Sequence, residues 1–151
     1  ARSGAALACD GKAPFAEPRR AIGALLGHGV RFGAPGAVMI VGEGVETMLS
    51  LRMILPAAPL VAALTASHLA ALAFPPSLRR LYVARDADAA GDHAFARLSA
   101  RASASGVDVR GLCPERNDFN DDLRALGAGA LARTLAAQLD PDDAPRWLHA
   151  A

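Results

Sequence analysis

Asp86 and Asp88, one residue apart, follow the run Leu81-Tyr82-Val83-Ala84-Arg85. In extended backbone, residues two apart project to the same side. Both carboxylates can therefore aim at one point just beyond a strand end. Two anions so placed repel, and burying them unpaired is costly, so the pair asks for a cation. A divalent metal is the expected occupant, and further oxygen donors are expected where other strands end. Glu43 stands in Gly42-Glu43-Gly44 after the apolar run Val38-Met39-Ile40-Val41, and Asp118 and Asp121 stand in Asp118-Phe119-Asn120-Asp121-Asp122.

Other readings of these residues fare worse. Gly42-Glu43-Gly44-Val45-Glu46-Thr47 lacks the third glycine of a dinucleotide fingerprint, and an acid in that turn repels pyrophosphate. Asp86-x-Asp88-x-x-Gly91 begins like a calcium loop, but Arg97 stands at its twelfth position, where a carboxylate is required. A haloacid-dehalogenase-type phosphatase usually carries such a pair on its first strand, whereas here it follows the third expected strand, and the sole lysine, Lys12, precedes it. Taken singly, Asp88 is a natural helix cap, and Glu46 and Asp92 suit helix starts. Caps alone do not explain acids at three strand ends. Ser67-His68 lacks a nucleophile elbow, and Ser67 reads as a cap. His28, His68 and His149 lack metal spacing, Tyr82 reads as core, and His93 is near enough to the acid pair to touch a phosphate bound there.

The elements that must carry these residues are strands and helices in alternation. Strands are expected at Val38–Val41, Leu60–Leu64, Leu81–Ala84 and Val107–Leu112. Helices are expected over 45–55 (packing through Val45, Met48, Leu49 and Met53), 68–74 (capped by Thr65 or Ser67), 91–105, 121–126 and 128–139. Ser105-Gly106 closes the long helix, because glycine accepts left-handed backbone. The alternation implies an α/β fold, a mainly parallel sheet of roughly four strands flanked by helices. Ligands bind such sheets beyond the carboxyl ends of the strands, where all three acidic elements fall. Residues 1–36, rich in Gly and Pro, read as an N-terminal extended arm or small hairpin, 37–140 as the catalytic domain, and 141–151 as a Pro- and Asp-rich tail.

The 151 residues suit one domain with a substantial core. Sixteen basic residues against 15 acidic argue against a dedicated nucleic-acid gripping module, though a metal can supply local positive charge. Cys9 and Cys113 form no CxxC pair, which excludes a zinc ribbon. Free thiols and the lack of an export signal point to the cytoplasm, and no apolar run approaches the roughly 20 residues of a membrane span. The alanine, arginine and glycine bias suggests a GC-rich bacterial gene, and a start without methionine suggests a fragment of a longer chain.

Together, Val41-Gly42-Glu43-Gly44-Val45-Glu46-Thr47, Asp86-Ala87-Asp88-Ala89-Ala90-Gly91 and Asp118-Phe119-Asn120-Asp121 resemble the Toprim domain. That module is shared by bacterial-type primases, type IA and II topoisomerases and some nucleases. The similarity is greatest to phage- and plasmid-type primases and primase-helicases, through Glu46-Thr47-Met48-Leu49-Ser50, and it spans residues 37–126. Arg19-Arg20 to Gly36 more weakly resembles the stretch before Toprim in those proteins.

The resemblance implies a Rossmann-like Toprim fold, with Glu43 in acid–base work or metal binding. It makes Asp86 and Asp88 ligands of Mg²⁺ or Mn²⁺, Asp118 the acid of the later loop, and Asp121 a second contributor there. It implies nucleotidyl transfer in primer synthesis, from nucleoside triphosphates on single-stranded DNA, with a helicase or zinc-binding domain alongside and a cytoplasmic setting of bacterial, phage or plasmid origin. The same acids serve a Toprim nuclease equally well, and a non-catalytic module of a replication complex is the third reading. A topoisomerase needs a tyrosine-bearing domain that these residues do not supply.

Overall fold

A computed structural model describes residues 26–148. The expectations for Cys9, Lys12, Arg19-Arg20 and His149 lie outside them. The elements run β1 (Val30–Phe32), β2 (Val38–Gly42), α1 (Val45–Ile54), β3 (Leu60–Ala62), α2 (Ala66–Ala70), β4 (Arg80–Ala84), α3 (Ala89–Ala104), β5 (Asp108–Leu112), α4 (Phe119–Leu126), α5 (Ala128–Gln138) and α6 (Ala144–Trp147). The sheet has five strands in the order β1-β3-β2-β4-β5. β3, β2, β4 and β5 are parallel, and β1 closes the edge antiparallel to β3. The expected four strands are thus present, and the segment read as part of an arm adds a fifth.

Side-chain alternation along the strands separates two cores. Ile40, Leu60, Ala62, Tyr82, Ala84 and Leu112 pack beneath α1, α4, α5 and α6. Met39, Val41, Val61, Leu81 and Val83 pack against α2 and α3 on the other face. The chain leaves β2 for one face and β4 for the other, so the crevice between their carboxyl ends is the topological switch point of the sheet.

Two expectations need correction. In α1 the buried positions are Thr47, Met48, Ser50 and Leu51, whereas Leu49 and Met53 are 46% and 71% exposed. Polar Ser50 can face inward because its hydroxyl donates to Glu46 O and to Asn120 Oδ1. Residues 141–148 are no tail, because Asp143 and Trp147 are buried and the Trp147 ring meets Tyr82 edge-on at 5.8 Å. Asp143 Oδ2 accepts from Arg80 Nη1 at 2.7 Å and from the Tyr82 hydroxyl at 2.8 Å, and that hydroxyl accepts from Asp140 N. Burial raises the Tyr82 pKa, and the hydrogen bond to Asp143 raises that of Arg80.

Gly106 closes α3 in left-handed geometry as expected, with Ser105 as its cap. No helix among the described residues is long and apolar enough to cross a membrane.

Candidate metal centre

The sheet ladder continues past its strand ends toward the acids. Ala63 N donates to Gly42 O and Leu64 N to Glu43 O, at 2.8 and 2.9 Å, which fixes the backbone from which Glu43 projects. Leu64 makes this bond with φ at +76°, a left-handed conformation that costs a non-glycine residue about 1–3 kcal/mol. On the other side of the crevice, Arg85 N donates to Leu112 O, and Ala87 N to Asn117 O. The second bond ties the segment between Asp86 and Asp88 to the residue before Asp118.

Asp88 and Asp118 are both N-caps. Asp88 Oδ1 accepts from Gly91 N at 2.7 Å to open α3, and Asp118 Oδ1 accepts from Asp121 N at 2.8 Å to open α4. The cap reading of Asp88 therefore holds, and it leaves the second oxygen of each carboxylate outside the cap bond. The caps also aim two helix N-termini at the crevice, whose partial positive charge favours anions there.

Asp86 is half-buried, and its Oδ1 is buried without a hydrogen-bond partner. Its pKa is raised to about 6, first by desolvation and then by the charges of Glu43, Asp118 and Asp88. Three of the other four expected ligands thus bear on the Asp86 carboxylate. Asp121 does not join them; its Oδ2 accepts from Asn117 Nδ2, and it lines a neighbouring cleft.

Among the described residues, no three His, Cys, Asp or Glu side chains stand close enough to enclose an ion in their present positions. The chemistry of the set nonetheless fits a hard divalent cation. Every donor is a carboxylate oxygen, and one buried oxygen has no partner. An ion there would offset the burial and the neighbouring charges that raise the Asp86 pKa.

The surroundings include residues that motif reading missed. Asp122, expected as part of the acidic loop, is fully buried, and its two oxygens accept from Glu115 N and Arg116 N, fixing the loop before α4. Arg85 lies over the Phe95 ring at 4.9 Å and pairs with Asp92. His93 is exposed and shares a shallow cleft between α2 and α3 with Ser67 and Arg97. Thr65, not Ser67, caps α2, accepting from His68 N.

Gly91 is required by packing: a Cβ there would lie 2.6 Å from Asp86 O. Alanine is the better helix former, but this clash is with backbone and outweighs its propensity. Gly91→Ala is expected to destabilise the protein by about 1–3 kcal/mol. A urea midpoint equal to the wild type would contradict this packing.

A protein-family model described as "Toprim domain" matches residues 38–129, well over half of the chain. No curated protein matches the sequence. Among solved structures, the primase fragment of the bacteriophage T7 primase-helicase protein is similar at 21% identity and a TM-score of 0.51, over 69% of this chain and 44% of that one. The Aquifex aeolicus primase (zinc-binding and RNA polymerase domains) is similar at 23% identity and a TM-score of 0.49, over 68% of this chain and 26% of that one. This chain therefore spans less than half the length of either.

Proposed function

The chain belongs to the Toprim domain family, and from that membership and its clustered acids we propose that it is the catalytic module of a primase-type nucleotidyltransferase, making primers from nucleoside triphosphates on single-stranded DNA. Toprim domains are generally divalent-metal dependent. The observation that carries the reading is the buried, unpartnered Asp86 oxygen among Glu43, Asp88 and Asp118 at the switch point of the sheet.

Glu43, Asp86, Asp88 and Asp118 would hold Mg²⁺ or Mn²⁺, which neutralises charge developing on the attacking and leaving oxygens of a phosphoryl transfer. Glu43, on its clamped backbone, would also serve as a proton acceptor at the crevice. Asp88 and Asp118 orient the segments that carry the site through their caps. The T7 relative is part of a primase-helicase, and a net charge of +1 gives this chain little electrostatic grip on DNA. Action beside a helicase or zinc-binding module follows from this reading.

The test is primer synthesis on a single-stranded template with Mg²⁺ or Mn²⁺. Asp86→Ala with Asp88→Ala is expected to lower the rate by at least on the order of 100-fold. Wild-type synthesis by the double variant would remove these acids from the mechanism. Metal-dependent cleavage of DNA without nucleotides would reassign the module to hydrolysis.

A further inference from the structure

Two of the four buried polar or charged residues among those described, Thr47 and Ser50, stand three apart on α1. Ser50 is aimed at α4. Its hydroxyl donates to Asn120 Oδ1 at 3.2 Å and to Glu46 O at 3.0 Å. The rest of the seam between the two helices draws on Met48, Leu51, Ile54, Phe119 and Leu123 of one apolar core. Apolar packing is non-directional, whereas a hydrogen bond has a preferred distance and angle. The bond from Ser50 to Asn120 therefore sets how α1 and α4 register against each other.

Its two ends lie close in the chain to two of the acids. α1 begins two residues after Glu43, and Gly44, its N-cap, has no side-chain cap bond to hold that end. Asn120 stands two residues after Asp118, in the first turn of α4. The same loop also holds the segment of Asp86 and Asp88, because Asn117 O accepts from Ala87 N at 2.8 Å. Buried Asp122 anchors the loop from within, accepting from Glu115 N and Arg116 N. Residues 115–122 are thus a hub tied to both other walls of the crevice. The tie through Asn117 is made by backbone and does not depend on residue type. The tie through Asn120 is made by side chains, so a substitution can break it.

Carboxylates gathered at one crevice repel, and repulsion pushes apart the elements that carry them. Mg²⁺ demands oxygens at about 2.0–2.1 Å in a nearly octahedral array, while Ca²⁺ accepts about 2.3–2.6 Å and irregular geometry. Walls held in register suit the smaller ion, and loosened walls cost the larger one little. We infer that Ser50 and Asn120 are positioning residues of the metal centre. Their hydrogen bond holds α1, and with it Glu43, in register with the Asp118 loop, and so favours Mg²⁺ or Mn²⁺ over Ca²⁺. The inference rests on the metal reading proposed above. Both residues act through the elements that carry Glu43 and Asp118, not as ligands.

The test is Mn²⁺ binding by the full chain, followed by electron paramagnetic resonance of the free ion, with Mg²⁺ and Ca²⁺ read by displacement. Ser50→Ala is expected to weaken Mn²⁺ and Mg²⁺ binding roughly 10-fold and to change Ca²⁺ binding little. Asn120→Ala, at a partly exposed position, removes the other end of the bond and is expected to do the same. The double variant is expected to lose no more than either single one, because the two residues share one bond. Urea midpoints fix conditions under which every variant is folded. A lowered midpoint with unmoved ion affinities would make the bond structural only and overturn the positioning role. Losses that add in the double variant also overturn it, and equal losses of Mg²⁺ and Ca²⁺ overturn the selectivity. Wild-type Mn²⁺ binding indifferent to Asp86→Asn with Asp88→Asn is a separate failure, which retracts the metal reading and this assignment with it.

Discussion

Replacing Asp86 by asparagine is expected to make the metal-free protein more stable above pH 6 by about 1–2 kcal/mol while removing its response to divalent metal. Full ionisation of a carboxyl raised from 3.8 to about 6 corresponds to roughly 3 kcal/mol. Solvent screening of this half-exposed group reduces that figure. The sign follows from proton binding. The folded state holds the Asp86 proton more tightly than the unfolded chain does, so the group carries no penalty below about pH 4 and stability falls as pH rises toward and through about 6. Asparagine cannot ionise, and its variant lacks this decline.

A divalent ion bound at the proposed site is expected to reverse the decline in the wild type, contributing about 2.7 kcal/mol at a hundred times its dissociation constant. Thermal melts at pH 4.5, 6 and 7.5, with chelator and then with Mn²⁺, measure both effects. A variant no more stable than wild type at pH 7.5 in chelator would mean that neither burial nor the neighbouring acids burden the Asp86 carboxylate.

The second large effect is expected at the opposite end of the sheet. Asp143→Ala removes a buried carboxylate and leaves the Tyr82 hydroxyl and one arm of Arg80 without their acceptor. Breaking a buried pair from one side costs about 3–5 kcal/mol. Arg80 keeps Asp108 and Asp140 as partners, which places the loss near 3 kcal/mol and the fall in melting temperature at roughly 10 °C. The Trp147 ring should loosen at once, so its fluorescence is a second readout. Equal urea midpoints for variant and wild type would show that the C-terminal segment is held by apolar packing alone.

These two sites differ in how far local sequence reveals them. The acid cluster was legible because each member follows an apolar strand run, and strand ends in a parallel sheet share one edge. Asp88 was legible as a helix cap, and Asp118 caps α4 in the same way. The anchor at Asp143 was not legible: its partner Arg80 is 63 positions away, and a short segment of Pro and Asp reads as solvated chain when taken alone. The face of α1 was misjudged for a related reason. Apolar spacing favoured Leu49 and Met53, but Ser50 turns inward with its hydroxyl satisfied by Asn120 from α4. β1 is three residues long and belongs to the sheet only through β3, which periodicity cannot show.

The pairing of Gly42 with Ala84 gives the crevice a parity. Beyond that pair the two residues that follow β4 differ in sign. Arg85 turns away to the Phe95 ring and Asp92, and Asp86 faces the acids. Sliding β4 by a single residue toward its carboxyl end against β2 would put Arg85 where Asp86 now stands, presenting a guanidinium in place of a carboxylate. The site's polarity is thus an odd-or-even property of strand registration. One inserted residue within β4 would bring Arg85 into the place of Asp86 and one deleted residue would bring Ala87 there, each leaving every acid present in the chain.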